Sequence, residues 1–388
     1  MVTKVIKFFL IIVIMTTTVC AETQIDYAVI PASQSVLSPN PKLGRFMMTD
    51  IFLNSQIPPD VADLAGENIV GRRKFLSIFD YKTKSLCLLP GFLSYWLNDQ
   101  TILTYATCPG STFLVYEFIP EINTIKLKQK ITIDSVLPVI LPFPGGNKFL
   151  VETKDPKSGY MLNLYDIYSK QLQELFVFKS LLHGCVWLKA PNQLVGVTET
   201  NNFESLFYFM DIDKKSIIEI RAPIPNITAL VSSPELGDSQ TIPNEFYVFS
   251  ETRRPNQAQL LKCMVEGNMI ITHHVADNVL PSTVITGNQK NGIYVSRIKE
   301  RFTRIVNLKP GNDLEETITN DSYCHSPVFS PEYQTLFYFV SNPNRAEGPK
   351  NLKQVNDVLY EKKANQESEA IQFSSITWLG VEGGKIYP

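Results

Sequence analysis

Seven times along this chain an apolar strand runs into a polar turn and then a second strand. The copies begin at Leu76, Leu114, Leu162, Phe207, Leu260, Thr303 and Val358. With Asp80, Glu117, Asp166, Asp211, Met264, Asn307 and Glu361 aligned, the steps are 37, 49, 45, 53, 43 and 54 residues. Their mean, about 47, falls in the range of repeat units built from four strands. A second set of apolar segments interleaves with the first, at 94–106, 138–153, 185–198, 228–249, 282–297, 326–340 and 375–388. Several share a Trp-Leu start, as in Tyr95-Trp-Leu, Val186-Trp-Leu and Thr377-Trp-Leu.

The order of these halves carries topological information. The hairpin at 75–89 has no opening pair before it, and the segment at 375–388 has no hairpin after it. One structural unit split between the chain ends accounts for both. Strands such as Leu336-Phe-Tyr-Phe-Val are apolar throughout rather than alternating, as expected when both faces are covered by neighbouring sheets. The expected fold is all-β: a seven-bladed β-propeller of four-stranded antiparallel blades. Pairing of the C-terminal strands (375–388) with the N-terminal hairpin (75–89) closes the ring. A pair of β-sandwiches or a β-helix is the competing architecture.

Ahead of the repeats, residues 1–21 read as a secretory signal. Lys4 and Lys7 open it, Phe8 to Met15 is apolar, and Val19-Cys20-Ala21 supplies small residues for cleavage. That apolar run is shorter than the roughly 20 residues a membrane-spanning helix needs. An uncleaved anchor and lipidation at Cys20 are the alternatives, and the mature chain is expected to hold no membrane span. Residues 22–72, rich in proline, read as an N-terminal arm, and 73–388 as the propeller. Localisation is thus expected to be secreted or periplasmic. The formal net charge of −2 argues against nucleic acid as a partner. Five cysteines follow the signal, namely Cys87, Cys108, Cys185, Cys263 and Cys324. Cys87 and Cys108 flank one unit boundary and are near enough in sequence to pair; buried thiols are the other reading.

The segment Ser326-Pro-Val-Phe-Ser-Pro-Glu-Tyr-Gln-Thr-Leu-Phe-Tyr-Phe-Val resembles the repeat of TolB-type and related WD40-like propellers. Pro327, Phe329, Ser330 and Pro331 match that family pattern, whereas Glu332-Tyr333 replace its Asp-Gly. The resemblance implies the propeller architecture. Such propellers also precede serine peptidase domains, but no Gly-x-Ser-x-Gly elbow occurs in this chain.

Candidate site residues are few. His183 and His325 each stand four residues before an aromatic, Trp187 and Phe329, at the start of equivalent strands. Those positions are expected near the channel mouth. Resemblance to metal-dependent pectate-fragment lyases raises a metal there, but two histidines are fewer ligands than a divalent site requires. No metal and no cofactor are therefore expected. His273-His274 fall on opposite faces of a strand and cannot chelate one ion together. Arg253-Arg254 form a small basic cluster able to clamp a carboxylate or phosphate; Arg72-Arg73-Lys74 form another, and solvated loop ends are the plainer reading of both. The functional expectation is a binding scaffold for protein partners rather than an enzyme. The alternative is a carbohydrate-active hydrolase or lyase with its site at the channel mouth, near His183 and His325.

Overall fold

The computed structural model describes residues 27–28, 35–53, 74–106, 112–119, 124–144, 146–155, 157, 159–200, 203–234, 244–251, 257–282, 285–288, 292–299, 302–309, 315–320, 323–341, 357–372, 374–379 and 386–387. The signal segment, Cys108 and the Arg253-Arg254 pair lie outside the described residues.

Four sheets are simple four-stranded meanders. They comprise 92–132, 135–178, 184–222 and 324–370. A fifth sheet has eight strands, from Ile227–Ser232 to Glu315–Thr317, but the ladder between its two halves has a single register pair, Val279 with Arg297. The sixth joins the chain ends. First strands of successive sheets touch one another, and apolar clusters fill the spaces between sheets. Phe207 of one sheet packs beside Phe246 of the next, at 6.1 Å between ring centroids. Sheets arranged side by side in this way, each face buried against a neighbour, make the molecule a β-propeller.

The turns that end many third strands repeat one device. The Asp80 carboxylate accepts the backbone N–H groups of Lys82 and Thr83, at 2.9 and 3.1 Å. Asp166 does the same for Tyr168 and Ser169, and Asp211 for Lys214. Lys84, Lys170 and Lys215 then take positive φ, near 55°, 56° and 50°, to close each turn. An aspartate that accepts from the next turn satisfies donors the ladder leaves over.

The closing sheet departs from the expected arrangement. Strands Ser35–Leu37 and Arg45–Leu53 both lie in the segment read as an N-terminal arm, yet they pair in sequence onto Lys74–Asp80. They supply the opening pair that the hairpin at 75–89 lacks. Leu37 and Arg45 are linked through the tight 3-10 turn Pro41–Leu43. The C-terminal strand Ser375–Leu379 does join this hairpin, but as an added outer strand, parallel to Ser85–Pro90. Ser375 stands opposite Ser85 and Trp378 opposite Leu88. The closing sheet is therefore not a four-stranded antiparallel blade. The inner places are already filled, so the C-terminal strand takes the free edge. A parallel pair is possible because the two strands are not consecutive in the chain.

Two contacts fix the closing sheet to its neighbours. On one side the Arg45 guanidinium lies over the Phe118 ring at 3.3 Å and reaches Asp80 at 3.6 Å. On the other, Tyr81 donates its hydroxyl to Glu361 at 2.6 Å, and Lys84 meets the same carboxylate at 3.1 Å. The Tyr81 ring packs edge-on against Tyr333 and Phe337, with centroids 4.9 and 5.1 Å away.

Candidate functional site

The sheet at 324–370 borders a surface crevice. Its face away from the closing sheet looks onto the strands Gly292–Lys299 and Phe302–Leu308. Near the ring centre these sheets are fastened. The Thr286 hydroxyl lies 3.3 Å from the Pro327 carbonyl and accepts the Phe329 N–H at 3.2 Å. Beyond that fastening, Tyr294 and Phe329 stack at 5.3 Å with their planes 22° apart. Further out the sheets part. The outermost strands here are Glu315–Thr317 and Glu369–Ala370, of three and two residues. Elsewhere the outer strands are longer, as in Gln171–Phe178 and Met269–Val279, with eight and eleven. Short outer strands leave the rim uncovered, and a crevice of about 230 Å³ opens.

Its wall is apolar at the base and basic at the lip. Phe329, Tyr294, Leu336 and Ile318 form the base; Lys309, Lys362 and Lys363 stand at the lip with Glu316 as the one carboxylate. Strand alternation sorts these side chains. Leu336 faces the crevice while Phe337 faces the closing sheet, and Lys362 faces the crevice while Glu361 faces Tyr81.

Asn307 also lines the crevice. It is only 2% exposed, and its Oδ1 has no hydrogen-bond partner. In the repeat it occupies the position of Asp80, Asp166 and Asp211, whose oxygens cap the following turn. Three residues on, this chain has Pro310, which carries no N–H to donate. An acceptor so buried and unpaired is costly, and this one packs against Gly292.

A second polar feature is buried between the 135–178 and 184–222 sheets. The Glu152 Oε1 accepts the Leu182 N–H at 3.0 Å, while its Oε2 has no partner. Burial pushes this carboxyl up to about 7, with the Leu182 N–H pulling the other way. Burial, and then the charge of Glu152, raise the Cys185 thiol well above its ordinary value. A thiol held neutral in this way is not a nucleophile.

The histidines expected at the channel mouth each have local contacts of their own. His183 is exposed, and its backbone N–H donates to the Val197 carbonyl at 2.7 Å. His325 is half-buried, its ring stacked on Phe339 at 5.7 Å and its Nδ1 3.1 Å from the Ser326 hydroxyl. His274 contacts Asp277 at 3.0 Å on an exposed strand. Among the described residues no group of three His, Cys, Asp or Glu side chains is placed to hold a metal ion. No described helix is long and apolar enough to cross a membrane.

Asn307 and Glu152 were not singled out from the sequence. Both left a trace there. Asn307 stands in the repeat alignment where acids cap turns, and Glu152 interrupts the apolar run Phe149-Leu-Val-Glu. A charge inside a strand covered on both faces is a departure that calls for a reason.

No family model matches the chain. No curated protein matches it by sequence. Solved structures do share its fold. Acylaminoacyl peptidase from Pyrococcus horikoshii superposes with a TM-score of 0.56 at 7% identity, covering 91% of this chain and 53% of that one. This chain thus spans about half the length of that peptidase. The β-propeller domain of the Trilobed protease from Pyrococcus furiosus matches with a TM-score of 0.43 at 8% identity, covering 92% and 87%. TolB from Acinetobacter baumannii matches with 0.40 at 13% identity, covering 77% and 76%. The chain is a β-propeller, and likeness at such identities concerns the fold alone.

Proposed function

We propose that this chain is an exported β-propeller that serves as a binding scaffold for a protein partner. The observation that carries the reading is the crevice beside the 324–370 sheet: an apolar base and a basic lip on a rigid frame. A packed ring holds such a surface in one geometry, so little ordering cost is added on binding. We further read the eight-stranded sheet as two blades, divided at the Val279–Arg297 pair. With the closing sheet this makes a ring of seven. Under this reading the signal at 1–21 directs export.

Cross-linking tests the scaffold role. The full chain, purified and immobilised, is offered the secreted or envelope proteins of its source, and cross-linked peptides are mapped. The expected outcome is a discrete partner whose cross-links cluster on Lys309, Lys362 and Lys363 and disappear when Lys362→Glu and Lys363→Glu are combined. Cross-links scattered evenly over the surface lysines would overturn the proposal.

A further inference from the structure

The sheets at 92–132, 135–178, 184–222 and 324–370 each end on their fourth strand. Three of those outer strands carry exposed charge: Lys126, Lys128 and Lys130 on the first, Glu174 on the second, Glu219 and Arg221 on the third. The fourth is only two residues long. Charge and brevity both keep the unpaired N–H and C=O groups of an edge from recruiting another strand. Ser85–Pro90, the corresponding strand of the closing sheet, has neither defence. It is six residues long, reads Ser-Leu-Cys-Leu-Leu-Pro without a charge, and buries Leu86, Leu88 and Leu89 to 1% exposure or less. This edge alone among the five is covered, by the parallel strand Ser375–Leu379. We infer that the edge is a strand-acceptor site whose second occupant is another copy of this chain: two copies exchange their C-terminal strands reciprocally.

The strand is separable from the ring it covers. The closing sheet draws its other strands from 35–53 and 74–90. Its seam with the 324–370 sheet is made by Tyr81, Lys84, Tyr333, Phe337 and Glu361, none of them in the strand. Departure of Ser375–Leu379 therefore leaves the ring closed but the apolar edge bare, and the cover that fits it in length and register is the same strand from another copy. The ladder holding it has four register pairs, from Ser375 opposite Ser85 to Trp378 opposite Leu88. Ser374 adds its N–H to the Lys84 carbonyl at 2.8 Å and its hydroxyl to the Thr83 carbonyl at 2.7 Å. Both acceptors lie beside the edge itself, so an exchanged strand remakes these bonds. Four residues separate Ala370 from Ser375, a reach of about 14 Å when extended. Exchange thus brings the seams of the two copies together about a two-fold axis, each copy giving and receiving one strand.

Register supplies the test. Thr377 stands opposite Cys87, and neighbouring strands run about 4.8 Å apart, within the span of a disulfide. Full-length chain carrying Thr377→Cys and Cys87→Ser is mixed with unaltered full-length chain under oxidised glutathione. A disulfide between 377 of the first and Cys87 of the second forms when the strand of one lies on the edge of the other. The expected result is a covalent heterodimer on a non-reducing gel, with that bond assigned by peptide mass. Adding Ser375→Pro and Ile376→Pro to the first chain should abolish it, since one of two adjacent residues must turn its N–H to the edge. Absence of the heterodimer, or its persistence with both prolines, would overturn the proposal. The unsubstituted chain gives an independent reading. Light scattering after size exclusion should show a dimer that grows with concentration and is lost with both prolines; a monomer at every concentration would equally overturn it. Lys362 and Lys363 are untouched throughout, so this inference and the scaffold reading stand or fall separately.

Discussion

The 324–370 sheet presents two faces that have been finished differently. Toward the closing sheet, Phe337, Tyr333 and Glu361 meet Tyr81 and Lys84 in a filled seam. Toward the preceding strands, Leu336, Phe329 and Lys362 border an open crevice. The same three strands build both faces, and consecutive residues serve opposite purposes. The seam joins the two ends of the chain and so has to be held by side chains, since no covalent connection crosses it early in the sequence. The crevice lies between sheets already linked through the chain, where imperfect packing can be tolerated. Stability is thus concentrated at the seam and forgone at the crevice.

Core truncation on the two faces should reveal this most strongly. Phe337→Ala removes a fully buried ring that packs on Tyr81. It should lower the free energy of unfolding by about 3–5 kcal/mol. Leu336→Ala, one residue away, widens a space that is already open, and should cost nearer 2 kcal/mol, the low end for such truncations. Urea denaturation of the two variants gives the comparison. Equal losses would mean that the crevice face is packed as tightly as the seam.

Carboxylates offer the next contrast. Glu361 in the seam has two partners, whereas Glu152, between two other sheets, has one N–H. Glu152 holds its proton up to about pH 7 when folded, against 4.5 ordinarily. The folded state therefore binds more protons than the unfolded state between these values, and stability falls as pH rises through that window. The loss is complete above about pH 7 and amounts to roughly 3 kcal/mol at most. Glu152→Gln should flatten the profile between pH 4.5 and 7 when denaturation midpoints are measured across it. An unchanged profile would show that this carboxyl does not stay protonated.

Within the seam itself, Tyr81→Phe keeps the ring stack and removes the hydroxyl that donates to Glu361. The change should cost about 1.5 kcal/mol, because that acceptor is charged but keeps Lys84. Burial, followed by Glu361, pushes the Tyr81 phenol up to about 12, so no titration of this group is expected below that range. If Tyr81→Phe left stability untouched, the seam would owe its strength to ring packing alone.

How far the sequence foretold this arrangement varies from residue to residue. The strand repeats were legible because a sheet covered on both faces needs unbroken apolar runs, and Leu336-Phe-Tyr-Phe-Val shows one directly. Aspartates at 80, 166 and 211 kept their register because each caps a tight turn. Strands 35–37 and 45–53 were hidden by prolines at 39 and 41, which do not disrupt strands when confined to the turn between them. The outer place of Ser375–Leu379 was not legible, since a strand's own residues do not say which edge is vacant. Crevice residues were scattered over the alignment: Asn307, Phe329 and Lys362 are distant in sequence and meet only because two short outer strands leave the rim bare. Sequence periodicity reports what is packed more readily than what is left unpacked.

The smallest effect separates the crevice from ordinary burial. Two asparagines are almost equally buried, Asn163 at 3% and Asn307 at 2%. Asn163 donates to the Thr153 hydroxyl at 2.8 Å and to the Met161 carbonyl at 3.0 Å. Leucine there would forfeit both bonds and leave their acceptors bare, at a cost of about 1–3 kcal/mol. Leucine at 307 instead removes an oxygen that bonds to nothing. Asn307→Leu should therefore leave stability unchanged or raise it by up to about 1 kcal/mol, measured by the same urea titrations. A loss comparable to that of Asn163→Leu would show that Asn307 is held by the fold through contacts other than hydrogen bonds of its oxygen.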